Sequence, residues 1–280
     1  MRKLFTSLFM FFCICLSAQK SPTELAQPIV EEGKQLYRSE MASWYGTDLF
    51  LEKFNDRSKI GGYFSYIDND VAKCVFFSKD DEIKVIGTVS FDNTYNTTTA
   101  KVDLSERNLT KPEKDYFTIR QLSLSEINSD TLFETYDNTN LNLVPLISGN
   151  VKRVYVLTGP QKNGVVIFGN DYLLTFDNNN KLLTKKRLHK NIIPINYDGN
   201  EVEASIHSHL PETGDFITAT DICTLMLYEK FANWKQHNVV SEKYLNIWNC
   251  KTNQLLVMPM ETIKKINQDQ ENRKKDKDNN

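Results

Sequence analysis

The chain has 280 residues, 40% of them hydrophobic and 25% charged, enough to bury a full core as one large domain or two small ones. A formal net charge of -2 supplies no global attraction to nucleic acid or to an anionic membrane surface, and neither partner is expected.

Residues 1–18, MRKLFTSLFMFFCICLSA, place Arg2 and Lys3 before an apolar run from Leu4 to Leu16 that ends at Ser17 and Ala18. This predicts a secretory signal peptide: a membrane span needs about 20 apolar residues, and Gln19, Lys20 and Ser21 stop the run short of that. The expected mature protein begins near Gln19, is exported to the periplasm or secreted, and keeps no stable membrane span. Cleavage removes Cys13 and Cys15 and leaves Cys74, Cys223 and Cys250, so at most one internal disulfide can form.

A long helix is predicted from Ser21, where Ser21 and Glu24 form a capping box and Leu25, Ile29, Leu36, Met41 and Trp44 recur at helical spacing, with a break near Gly46. From Gly61 to about Leu104, short alternating runs between Asn, Asp and Lys clusters predict an antiparallel meander. A second helix follows in residues 111–128, with Tyr116, Ile119, Leu122 and Ile127 on one side. Strands then return, and DNNN at 177–180 is hairpin chemistry because Asn and Asp tolerate positive φ. Residues 221–236 read as an amphipathic helix, followed by a terminal hairpin, while residues 264–280 have almost nothing to bury and are expected to be a disordered tail. The expected fold class is α+β, antiparallel strand meanders with packed helices, divided softly into 19–145, of unassigned role, and 146–263.

Chemistry concentrates in EVEASIHSHLPETGDFITATDI, residues 201–222. Strand side chains alternate faces, so His207 and His209 point the same way about 6 to 7 Å apart and can converge on one ion. Thr218 and Asp221 open the following helix, and Asp221 offers a third ligand, the number a catalytic zinc takes from protein. The same pair also satisfies a capping box without any metal, and the polar face of the strand can equally be solvated. His189, in the basic run KKRLHKN, is expected on a solvated strand edge, and His237 is expected to cap helical carbonyls.

This constellation resembles the JAB/MPN metalloproteases, whose JAMM motif is a distant Glu, then His-x-His, seven residues and Ser-x-x-Asp. The strand, loop, helix and strand over about 202–250 resemble that family's core as well. The resemblance implies zinc held by His207, His209 and Asp221, Thr218 in the place of the Ser that stabilises the tetrahedral intermediate, and a peptide or amide substrate. Eight residues rather than seven separate His209 from Thr218, and no glutamate lies between 151 and 200. Glu203 shares the strand face but sits about 13 Å from His207, too far to handle the proton of the activated water. Glu212 in the loop, or an acid of the N-terminal half such as Glu40, is left for that task. Two functions therefore stand open: an exported zinc-dependent peptidase or amidase, and a non-enzymatic secreted or periplasmic protein with a structural or degenerate metal site.

Overall fold

The computed structural model describes residues 20–278; the signal peptide read in residues 1–18 lies outside the described residues. The architecture is α+β. Helix α1 (Pro22–Lys53) precedes a sheet formed by β1 (Ile60–Asp68), β2 (Val71–Ser78), β3 (Lys84–Phe91) and β4 (Lys101–Asp103), in that order, with β5 (Arg107–Asn108) also on β3. Helix α2 (Lys111–Ser129) leads to β6 (Thr139–Ser148), β7 (Val151–Pro160), β8 (Val165–Gly169), β9 (Tyr172–Phe176), β10 (Leu182–Arg187) and β11 (Ile192–Asn196). Of these, β10, β9, β7 and β6 form one sheet in that order, and β11 pairs with β8. The last sheet, in order β12 (Ser205–Ser208), β13 (Gln236–Val240), β14 (Tyr244–Asn249) and β15 (Gln254–Pro259), is crossed in sequence by α3 (Ala219–Ala232) and followed by α4 (Met260–Asp278). Only the β12–β13 pair among these strands is parallel, because α3 supplies its crossover. Position 145, where the sequence divides softly, lies inside β6.

Helix α1 is the spine. Ser21 and Glu24 close the expected capping box, and a stripe of Ala26, Val30, Gly33, Leu36, Ala42, Gly46 and Phe50 is buried at three- and four-residue steps. Val30 packs with Ile222 and Trp248, Leu36 with Cys223 and Tyr155, and Phe50 with Cys74 and Phe76. The break expected at Gly46 does not occur. That glycine is a contact residue: a Cβ there would lie 2.6 Å from Cys74 Cβ, so its absence lets the helix lie on β2. Gly33 does the same against α3, where a Cβ would meet Ile222 Cβ at 2.6 Å.

The tail expected to be disordered is helical as α4. Lys, Glu, Gln and Asp suit a helix without any core, and every side chain from 264 to 275 is indeed exposed. Cys74, Cys223 and Cys250 are buried and free, so the one disulfide that the count allowed does not form. Among the described residues no helix is long and apolar enough to cross a membrane.

Candidate metal centre

The burial of β12 is inverted. Its apolar residue Ile206 is 61% exposed and Leu210, just beyond it, 40%, whereas Ser205, His207 and His209 are exposed by 9%, 6% and 7%. A strand ordinarily buries its oily face. Here the polar face points into the protein, so the solvated alternative for His207 and His209 is excluded by the structure.

Helix α3 brings the carboxylate. Thr218 is its N-cap in extended conformation, and both halves of the Thr218–Asp221 capping box are made. Asp221 Oδ2 accepts from the Thr218 backbone N–H at 2.9 Å and from its hydroxyl at 2.7 Å. Asp221 Oδ1 is buried without any hydrogen-bond partner. The capping and ligating readings of Asp221 are thus compatible, one oxygen serving each.

A third histidine completes the group. His189 follows β10, where its backbone N–H and its Nδ1 both donate to Asp171 Oδ1, at 3.1 and 2.7 Å. Asp171 Oδ2 accepts from the Thr220 hydroxyl in the first turn of α3, so one buried carboxylate pins the 188–191 loop to that helix. The exposed strand edge expected for His189 is a correction: Lys185 and Lys186 do face solvent, but Leu188 N–H bonds Asp171 O and turns the chain inward, leaving His189 4% exposed.

Ligand atoms of His189, His207, His209 and Asp221 lie within 4.8 Å of one another, and the group could hold a metal ion. His209 Nε2 stands 3.1 Å from His189 Nε2 and 3.1 Å from Asp221 Oδ2; His189 Nε2 is 3.6 Å from Asp221 Oδ2, and His207 Nε2 is 3.6 Å from Asp221 Oδ1. A tetrahedral shell with bonds of about 2.0 to 2.1 Å has edges of about 3.3 Å, which these separations bracket. His207 Nε2, like Asp221 Oδ1, is a buried atom with no partner. With the His207 proton on Nδ1 these are two unsatisfied acceptors 3.6 Å apart, a costly arrangement for a protein to keep unless a cation satisfies both.

Outer contacts set the tautomers. His207 Nδ1 lies 2.8 Å from His237 Nε2, and His237 Nδ1 lies 2.7 Å from Ser205 Oγ. With a proton on each Nδ1 the relay runs His207 to His237 to Ser205, and the Nε2 lone pair of His207 is left free for an ion, as when a ligating imidazole donates its other N–H to a neighbour that orients the ring. His237 does not cap α3. The helix stops at Ala232 with Asn233 at φ 52°, and His237 falls on β13 with no exposed surface. Phe168 packs on the rings of His237 and His207, at 4.8 and 5.0 Å between centroids, and keeps that side dry.

Burial drives His207 down to about 4 and His237 down to about 3, so both are neutral. Burial would depress His189 too, but the Asp221 and Asp171 carboxylates outweigh it and raise His189 to about 11. Asp221 is opposed by its own burial and yet held well below the carboxylate range by His189 and then His207. Without an ion, the centre is an imidazolium between two carboxylates.

Of the residues expected at the site, His207, His209 and Asp221 come together and Thr218 touches Asp221. Glu212 is exposed in the turn, and Glu203 is exposed and paired with Lys235 at 2.6 Å. Glu40 is buried on α1 outside the group. His189, Asp171 and His237 were not legible as members. One signal pointed to them: the chain has four histidines in all, and the structure gathers all four here. No family model, no characterised protein and no solved structure matches this chain, so the JAB/MPN likeness is carried by the local motif alone.

Proposed function

We propose that this protein is an exported zinc protein, and that its centre is that of a JAMM-like hydrolase acting on a peptide or amide bond. The observation that carries the metal is the pair of buried, partnerless atoms, His207 Nε2 and Asp221 Oδ1, inside a four-residue group whose ligand atoms lie within 4.8 Å of one another. Three imidazoles with one carboxylate suit zinc best among the common divalent ions. A zinc ion so held supplies a nucleophile at neutral pH and polarises a carbonyl.

Support for hydrolysis comes from the surroundings. A cleft of about 310 Å³ opens beside the centre, lined by Leu188, Thr218, Gly214, Tyr155 and Glu32. Its lining includes Leu188, the neighbour of His189, and Thr218, which caps the helix of Asp221, but none of the four candidate ligands themselves. Thr218 would serve a developing oxyanion by turning its hydroxyl proton away from Asp221 Oδ2, which it holds in the resting centre. His189, oriented by Asp171, would handle the proton where the JAMM pattern uses a glutamate, once a bound ion has displaced the proton it carries in the empty centre.

A second reading has its own observation. His189 Nε2 already stands where a fourth ligand belongs, and all four residues are buried, which is how structural zinc sites are closed. The non-enzymatic protein with a structural ion is this alternative.

The experiment compares the mature chain with His189→Ala for zinc content by mass spectrometry and for hydrolysis of a peptide and isopeptide library. Zinc near one per chain in both, with cleavage by the wild type that His189→Ala loses, supports the hydrolase. Zinc lost from His189→Ala, with no cleavage by either, supports the structural ion. No zinc in the wild type after reconstitution overturns both.

A further inference from the structure

Away from the metal centre, a cavity of about 450 Å³ lies where α1, β1 and the end of α3 meet, lined by Trp44, Tyr45, Asp48, Tyr63 and Phe231 together with Ser43 and Thr47. Four aromatic rings and a single charge, a carboxylate, make an unusual lining. No lysine or arginine is among these residues. Phe231 is 57% exposed, which a large apolar ring at a helix end does not need for folding.

Asp48 lies four residues beyond Trp44 on α1, on the same face of the helix, and is exposed. It supplies the one carboxylate of the lining.

The rings are held in place. Trp44 meets Tyr228 edge-on at 5.6 Å, and Tyr63 packs on Phe76 at 5.9 Å. Arg120 lies over Tyr63 at 5.6 Å from its centroid, so that ring already serves one cation, and Trp44, Tyr45 and the exposed Phe231 are the other rings of the lining. Aromatic faces attract cations through their quadrupole, and alkylated ammonium groups most selectively, because they are large, weakly hydrated and make no hydrogen bonds.

We propose that this pocket binds a quaternary ammonium group, held over Trp44 and Phe231 beside the carboxylate of Asp48. The site is independent of the metal centre and of the hydrolase reading.

The test titrates the full mature chain with choline and, separately, with its neutral isostere 3,3-dimethyl-1-butanol, by calorimetry and by Trp fluorescence. Choline is expected to bind saturably with a dissociation constant of about 1 mM or tighter, at least about tenfold tighter than the alcohol. Phe231→Ala should weaken choline at least about tenfold and Asp48→Asn several-fold. Both positions are exposed, and circular dichroism confirms that each variant is folded. Equal binding of choline and the alcohol overturns the proposal, as does binding that neither substitution changes, or no choline binding up to about 10 mM.

Discussion

The decisive residue of the centre is His189, because its charge is what an ion must displace. Its value is raised from 6.5 to about 11, so in the metal-free protein the stability it contributes is fully present below pH 6.5 and is lost as pH climbs towards 11. His207, lowered to about 4, is already neutral and releases no proton. Where His189 is the fourth ligand, as the structural-ion reading has it, zinc binding should release about one proton per ion, and its affinity should rise about tenfold per pH unit between pH 6 and 8, as competition titrations with a chromogenic chelator will show. A pH-independent affinity would remove His189 from the shell and leave it the proton carrier of the hydrolase reading. In the structural-ion reading Asp171→Asn should lower zinc affinity about 10- to 100-fold, because it frees the ring that Asp171 aims. Little of this was legible from residues taken singly. His207, His209 and Asp221 share a local pattern, but His189 sits 18 residues from Asp171, and a basic stretch around it reads as surface.

Elements were more legible than side chains. The two capping boxes read from the sequence, at Ser21 and Thr218, each start a helix where the residue pair indicates, because caps are local chemistry, and Thr110 with Glu113 closes a third at the start of α2. Gly46 misled because its role lies across a helix–sheet contact. Gly46→Ala gains up to about 1 kcal/mol in helix propensity but forces a methyl against Cys74, at about 1 to 3 kcal/mol. A net loss of stability in urea is expected, and a gain would show that α1 can lift off β2. The terminal helix misled in the other direction, since helix formation there requires no burial. Removing residues 264–280 should leave the urea midpoint within about 0.5 kcal/mol of stability, given that the side chains from 264 to 275 are all exposed.

At the scale of the whole molecule, α1 contributes to three of the buried clusters, so the sheets are not independently stable units. The ion would add to this by tying the 188–191 loop, β12 and α3 together. Chelation should lower the thermal midpoint by about 5 to 10 °C, corresponding to about 2.7 kcal/mol at a hundredfold excess of ion over its dissociation constant, while scanning calorimetry still shows one transition. Two separated transitions would mean that α1 does not couple the sheets. The inverted strand carries a further consequence. A slip of one residue in the pairing of β12 with β13 would turn His207 and His209 outwards and bury Ile206 and Leu210, the exchange that water favours. The native register therefore runs against hydrophobicity, and an ion held by His207 and His209 would serve as the strand's registration pin; a protein stripped of it would be poised to mispair and expose a new edge to its neighbours.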